Sequence, residues 1–342
     1  MDGLRGIAAM CVACSHIGLS LPQFGGTGIS SEAFAGLGVT LFFVLSGYLI
    51  TFLLLEEKNE KSRISIRAFY MRRMLRIWPA YYSIILISVC CLYLFEGSIN
   101  NASSLSWYIF FLPNLPLAFS TTVTTLGHLW SIGVEEQFYA VWPWLLKYVK
   151  KLPAVFGGIV IGYVLLKVVF KFYAGDMLYT FWYYFRIDCM AMGAIGAWLL
   201  QQQHKLLRFF YNKIICLTCV AICFFSLYKV IDIPVIREEL YALVFLVIIL
   251  NVSSNPASPV KTGGVLLRFL GKISYGIYLW HPLMIYLTAA CYQRFLPGNF
   301  FKSTWYIPVY CIIIGLTILV AYSSYLLIEQ PFLRMKEKFS KL

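Results

Sequence analysis

The stretch DGLRGIAAMCVACSHIGLSL, residues 2–21, is apolar over most of its length yet carries Asp2 and Arg5 at one end and His16 well inside. About 17 to 25 such residues cross a hydrocarbon core as one helix. Between Arg5 and His16 a helix turns through about 1100°, or about three full turns, and rises roughly 16 Å. Both side chains therefore fall on one face, at two depths. Asp2, three residues before Arg5, lies near that face and is positioned to pair with it.

Working outward, comparable apolar runs recur at 4–21, 35–55, 76–95, 126–148, 152–172, 177–200, 212–230, 236–253, 269–290 and 305–328. Of 342 residues, 60% are hydrophobic and 13% charged, about half the charged share of a soluble domain. The expected fold class is all-α: a polytopic membrane bundle of about ten transmembrane helices in the cell (inner) membrane. It forms one domain over 1–342, with no appended soluble domain and almost no leader before Asp2. The net charge of +13 does not call for nucleic acid, because the basic residues sit in short loops on alternate sides. Lys58–Arg76, KYVKK (147–151), QHKLLRFFYNK (203–213), Lys261–Arg268 and RMKEKFSKL (334–342) share one side if both termini are cytoplasmic. Arg294 and Lys302 are exceptions in outer loops.

The ten cysteines lie mostly inside apolar runs without a paired CxxC pattern; Cys216, Cys219 and Cys223 share a helical face, which reads as packing. No metal and no tightly bound cofactor is expected. The longest pieces outside the spans are 56–75 and 96–125. The second contains SWYIFFLPNLPLAF (106–119), too broken by proline for a straight span and suited to an interfacial or re-entrant segment.

Ionisable groups inside a span cost a few kcal/mol at the bilayer centre unless they face protein or water, so they point to function. The plain alternative is that Arg5 reaches the interface and His16 packs helices. Counted along their spans, Glu135 and Glu136 lie about 14 Å from the outer end and His281 about 18 Å from the inner end, near the depth of His16. Asp188, in FRIDCMAMGA, comes near the midplane. Two histidines, two glutamates and an aspartate are thus expected to converge on one buried layer. Histidine acts as base and then acid near neutral pH, which suits proton transfer between a hydroxyl and an acyl group. The same set suits a proton-coupled transporter. In RAFYMRRMLRIWPAYY (67–82), Arg72 and Arg76 lie one turn apart with Arg73 beside them. Such a cluster receives phosphates, or simply sets topology and meets anionic membrane lipids.

Six stretches together resemble the acyltransferase-3 family of integral membrane acyltransferases, which includes glycan O-acetyltransferases. DGLRGIAAMCVACSH (2–16) is similar to its DGLRG start with an R-x10-H signature, and GVTLFFVLSGYLI (38–50) to its FFVLSG motif. RRMLRIWPAYY (72–82) resembles its R-x-x-R-x-x-P pattern, and HLWSIGVEEQFYAVWP (128–143) its HLWSLSVEEQFY motif. LGKISYGIYLWHPL (270–283) resembles YSLYLWHxP, and LLIEQPFLRMKEK (326–338) the E-x-P-F ending. The landmarks run in order over essentially the whole chain.

The resemblance implies a ten-helix bundle that takes an acyl group, usually acetyl from cytoplasmic acetyl-CoA, and passes it to a hydroxyl of an outer-face acceptor. It makes His16 the catalytic base, paired with Arg5, and sets Arg73 and Arg76, with Arg72 adjacent, near the phosphates of the acyl-CoA co-substrate. His128, Trp130, Glu135, Glu136, Tyr139 and His281 occupy motif positions, with Glu136 ranked as a catalytic candidate below His16. Some members carry a C-terminal hydrolase-like domain; without one, transfer is expected to finish in the bundle or on a partner protein. The expected acceptor is a cell-surface or exported glycan, free or lipid-linked, with O-antigen, capsule or exopolysaccharide, peptidoglycan and a small secreted metabolite all open, as are succinyl or longer acyl groups in place of acetyl. Two rivals remain: a proton-coupled transporter or flippase, which would move substrate without acyl-CoA, and a non-catalytic membrane subunit.

Overall fold

A computed structural model describes residues 1–28, 32–229, 231, 233–295 and 306–336. Lys302 and the basic run 337–342 lie outside the described residues. The helices, in chain order, are α1 (Asp2–Ser20), α2 (Glu32–Lys61), α3 (Ile66–Glu96), α4 (Leu105–Ile109), α5 (Asn114–Ala118), α6 (Trp130–Tyr148), α7 (Leu152–Val169) and α8 (Asp176–Phe185). They continue as α9 (Ile187–Gln201), α10 (Leu207–Phe210), α11 (Lys213–Tyr228), α12 (Arg237–Ser254), α13 (Val265–Lys272), α14 (Ser274–Phe295), α15 (Tyr306–Ser324) and α16 (Gln330–Lys336). No strand occurs among the described residues.

Five helical segments among the described residues are long and apolar enough to cross a membrane: Asp2–Phe24, Phe34–Lys61, Ile66–Glu96, Leu152–Tyr173 and Ile307–Met335. They divide by position. The first two are 61% and 67% buried within the protein, whereas Leu152–Tyr173 and Ile307–Met335 are only 22% and 28% buried. On the outer helices, side chains such as Ile161, Leu165, Leu319 and Leu327 are exposed. That much apolar surface is what a lipid-facing belt requires.

At the centre α2 packs most extensively on α9, and α1 lies against α2, α13 and α14. Small residues allow this approach. A Cβ on Gly47 of α2 would overlap the Met190 carbonyl, and one on Gly193 of α9 would overlap that of Val44. The glycine of the FFVLSG stretch is thus a contact point between helix backbones.

Three departures from the sequence expectation bear on the site. The segment 56–75 is mostly helix, because α2 runs on through EEKNEK and α3 starts at Ile66, ten residues before its apolar run. Glu and Lys are good helix formers, and Ser65 caps α3 by accepting from the Ala68 N–H at 3.4 Å. Second, the run 177–200 is not one helix. It breaks between α8 and α9 at Arg186, whose φ of 33° and ψ of 34° are left-handed. Third, the run 269–290 splits into α13 and α14. The proline-rich 96–125 region forms only short turns of helix, α4 and α5 among them, as its sequence suggests.

Candidate active site

On α1 the expected Asp2–Arg5 pair forms, at 3.7 Å. Eleven residues along, His16 meets α14: its Nδ1 lies 2.9 Å from Nε2 of His281. The direction of this bond follows from the next one. His281 Nδ1 lies 3.1 Å from the Ile277 carbonyl, which can only accept, so Nδ1 carries the proton. In the neutral ring Nε2 is then the acceptor, and it receives its hydrogen bond from the Nδ1–H of His16. The consequence falls on the far side of His16. Its Nε2 holds the free lone pair, and His16 lines a cavity of about 550 Å³.

His128 joins this group, with its ring centroid 5.3 Å from that of His281. Its Nε2 lies 3.1 Å from the Leu279 carbonyl, so Nε2 donates. Tyr278 closes the arrangement: its hydroxyl donates to the His128 carbonyl at 2.9 Å and accepts from Ser131 Oγ at 2.6 Å. Tyr278 lines the His16 cavity on one side and a narrower cavity of about 80 Å³ on the other. Arg5, Arg73, Arg76, Glu135, Tyr139 and Ser46 line that second space. One face of α1 therefore leads from an arginine-lined cavity to a histidine-lined one.

The carboxylates do not all join the histidines. Glu135 lies in the arginine cavity, where its Oε1 accepts from Ser46 at 2.7 Å and its Oε2 from Tyr139 at 3.1 Å. Glu136, one residue on and so about 100° round the helix, turns to α3 and accepts from Trp78 Nε1 at 3.0 Å. Asp188 is drawn into a different cluster, 3.9 Å from Lys167, whose Nζ also lies 2.5 Å from Glu239. Of the layer expected from depth, the structure brings together His16 and His281, adds His128, and sets Glu135, Glu136 and Asp188 apart.

The three neighbouring arginines also differ. Arg76 lines the narrow cavity. Arg73 lines it too, with its guanidinium 5.8 Å from the Phe69 ring centre and 5.7 Å from that of Tyr139. Arg72 pairs with Glu57 of α2 at 3.2 Å and, with Arg73, lines a third cavity that also holds Glu56 and Glu60, but it does not line the narrow one.

Sequence reasoning missed the wall of the large cavity. Besides His16, His128 and Trp130, it contains Tyr183, Tyr184, Arg186 and Arg237. Tyr183, Arg186 and Arg237 share a partner, Glu238, which is 2% exposed. Its Oε2 accepts from Thr40 at 2.6 Å and lies 3.1 Å from Arg186 Nη1, and its Oε1 accepts from Tyr183 at 2.8 Å and Arg237 Nε at 3.0 Å. The signal was present as Lys167 inside the run 152–172, Arg186 inside 177–200 and REE at the start of the run 236–253.

This combination of helices and motif residues belongs to a known class. The sequence model of the acyltransferase-3 family, described as an acyltransferase domain, matches residues 1–326, and the chain belongs to that family. It is 28% identical to a Bacillus subtilis protein named "Putative peptidoglycan O-acetyltransferase YrhL", over 97% of this chain and 54% of that protein. It is also 28% identical to "Peptidoglycan O-acetyltransferase OatA" of Listeria monocytogenes, over 97% of this chain and 55% of that one. The chain thus spans about half the length of these relatives. No solved structure matches it.

Proposed function

We propose that this chain is the membrane part of an O-acetyltransferase that moves an acetyl group from acyl-CoA to a hydroxyl of a cell-wall glycan of the peptidoglycan type. The observation that carries this reading is the His16–His281 hydrogen bond, which leaves one ring nitrogen of His16 basic on a residue that lines the large cavity. In this reading about ten crossings put both termini in the cytoplasm, and acyl-CoA enters at the Arg5 end. A cavity of about 80 Å³ suits the slender thioester arm, while Arg73 and Arg76 attract the phosphates behind it.

His16 Nε2 takes the proton from the acceptor hydroxyl as its oxygen attacks the thioester carbonyl. The C–S bond then breaks, and the protonated imidazole returns the proton to the leaving thiolate. His281 holds the ring of His16 in the tautomer this requires. Because the relatives are nearly twice as long, a further domain or a partner protein is the natural recipient when transfer is not completed in the bundle.

The test is reconstitution of the full chain in vesicles with acetyl-CoA and peptidoglycan fragments, read by mass spectrometry. Acetylated fragments are expected with wild type and not with His16→Ala. Fragments that cross the vesicle membrane unmodified, without acetyl-CoA, would instead support a transporter.

A further inference from the structure

Three residues of the large cavity, Tyr183, Tyr184 and Arg237, also line a neighbouring cavity of about 340 Å³. Lys171, Tyr179 and Ile233 line this second space and not the first, while His16 lines the first and not the second. The second cavity therefore takes no part in the proton transfer above. Residues shared by two cavities form either a wall or a threshold. Tyr278, between the histidine cavity and the narrow one, is a wall: it is 5% exposed. Tyr183, Tyr184 and Arg237 are instead all partly exposed, the Arg237 side chain by 27%. Surface left open on both tyrosines and the arginine is what a ligand crossing from one space to the other requires.

Aromatic rings run across this threshold. The Trp130 ring centre lies 5.0 Å from that of Tyr184, Tyr184 lies 5.2 Å from Tyr183, and Tyr183 lies 6.1 Å from Tyr179. Tyr179 and Tyr183 are one turn apart on α8 and so share a face, while Tyr184, the next residue, turns to Trp130. The middle of the series is held in place. The Tyr183 hydroxyl donates to Glu238 at 2.8 Å and accepts from Arg237 Nη2. A ring fixed in this way loses little freedom when a ligand packs on it. Arg237 is already paired with Glu238 and Tyr183, so recognition falls to ring faces, hydroxyls and shape rather than to charge. Successive rings with polar edges suit a sugar chain, whose C–H faces pack on aromatics and whose hydroxyls take hydrogen bonds. Both cavities, about 550 Å³ and about 340 Å³, fall in the size range of small-ligand sites. A single sugar occupies one of them; a chain occupies both.

We propose that the second cavity is an acceptor subsite: the sugar units of a glycan chain beyond the one at His16 lie over Tyr183 and Tyr179. This rests on the O-acetyltransferase reading. The bland alternative is ring packing that only fastens α8 to its neighbours.

The experiment measures binding to the full chain in lipid nanodiscs, without acyl-CoA. The probes are the disaccharide and the tetrasaccharide of β-1,4-linked N-acetylglucosamine, which are uncharged. The tetrasaccharide is expected to bind at least about tenfold tighter than the disaccharide, as the added buried contact allows. Tyr179→Leu, which removes a ring from the second cavity, should bring the tetrasaccharide down towards the disaccharide and leave the disaccharide unchanged. Ile233→Trp, which fills that cavity, should do the same. Equal binding of the two probes by wild type, binding of neither, equal weakening of both probes in the variants, or an unchanged tetrasaccharide affinity in them would each overturn the proposal. The wild-type comparison stands even if a variant fails to fold. Transfer from acetyl-CoA, measured separately, keeps the two readings distinct. Acetylation of short and long acceptors alike, with equal binding, leaves the enzyme reading and removes this one; length-dependent binding without acetylation does the reverse.

Discussion

The two ends of α1 meet the rest of the molecule in different ways. At Arg5 the cavity is narrow, about 80 Å³, and its lining includes three arginines with Glu135 among them. At His16 it is about 550 Å³, and the rings beside α1 are histidines bonded to each other and to backbone carbonyls, with no carboxylate bonded to them. Both cavities hold arginines, but at the Arg5 end they lie on α1 and α3, whereas at the His16 end they come from the α8–α9 break and the start of α12, and the histidines beside α1 bond to one another and to carbonyls. One end suits holding a polyanionic donor, the other suits moving a proton. Tyr278, which lines both cavities, is the partition.

The sharpest way to break this comparison is at the His16 end. His16→Ala should lower acetyl transfer by about a hundredfold to ten-thousandfold, the usual worth of a general base, with the protein still inserted and still binding acyl-CoA. Comparable loss of donor binding would mean that the two ends do not divide the work.

Next is His281, assigned a positioning role because it is 0% exposed and reaches the cavity only through His16. His281→Ala should cost about tenfold to a hundredfold in kcat, as loss of an orienting partner does elsewhere. His281→Asn, which retains an acceptor, should recover part of it. Rescue by Asn is the readout that a purely structural role would not give, and its absence would return His281 to packing.

At the other end, Arg73→Gln with Arg76→Gln should raise KM for acyl-CoA by about tenfold or more and change kcat little. Steady-state kinetics at saturating acceptor measures the split. A fall in kcat with unchanged KM would argue against a donor-holding role.

How much of this was legible beforehand depends on what a helical period carries. The shared face of Arg5 and His16 follows from 3.6 residues per turn, and the structure agrees. Depth along a span also predicted that His16 and His281 could meet across 265 positions. Depth does not give direction around the axis, though. Glu135 and Glu136 have nearly equal depth, yet they point into different spaces. The pairing of Asp188 with Lys167 depends on how α7, α9 and α12 pack, which no single span encodes. Lone charges such as Lys167 and Arg186 sit inside apolar runs, but only the packing of those runs shows the carboxylates they pair with.

The smallest expected effect tests the edge of the charged end. Arg72 and Arg73 are neighbours in sequence, and a phosphate receptor read from the motif would count both. In the structure Arg72 turns to Glu57, and Glu57 Oε1 also accepts the Ser65 N–H at 2.9 Å where α2 gives way to α3. Arg72 thereby ties the two helices together, while Arg73 lines both the narrow cavity and the one that Arg72 faces. The two side chains of the pair are 19% and 11% exposed, so water screens it only in part. Arg72→Gln should cost about 1 kcal/mol of stability and leave KM for acyl-CoA within about twofold of wild type. Thermal unfolding in detergent reads the first and donor titration the second. If Arg72→Gln instead raises KM as much as Arg76→Gln does, the donor reaches past the cavity mouth to the α2–α3 turn, and the charged end of α1 is wider than its narrow cavity suggests.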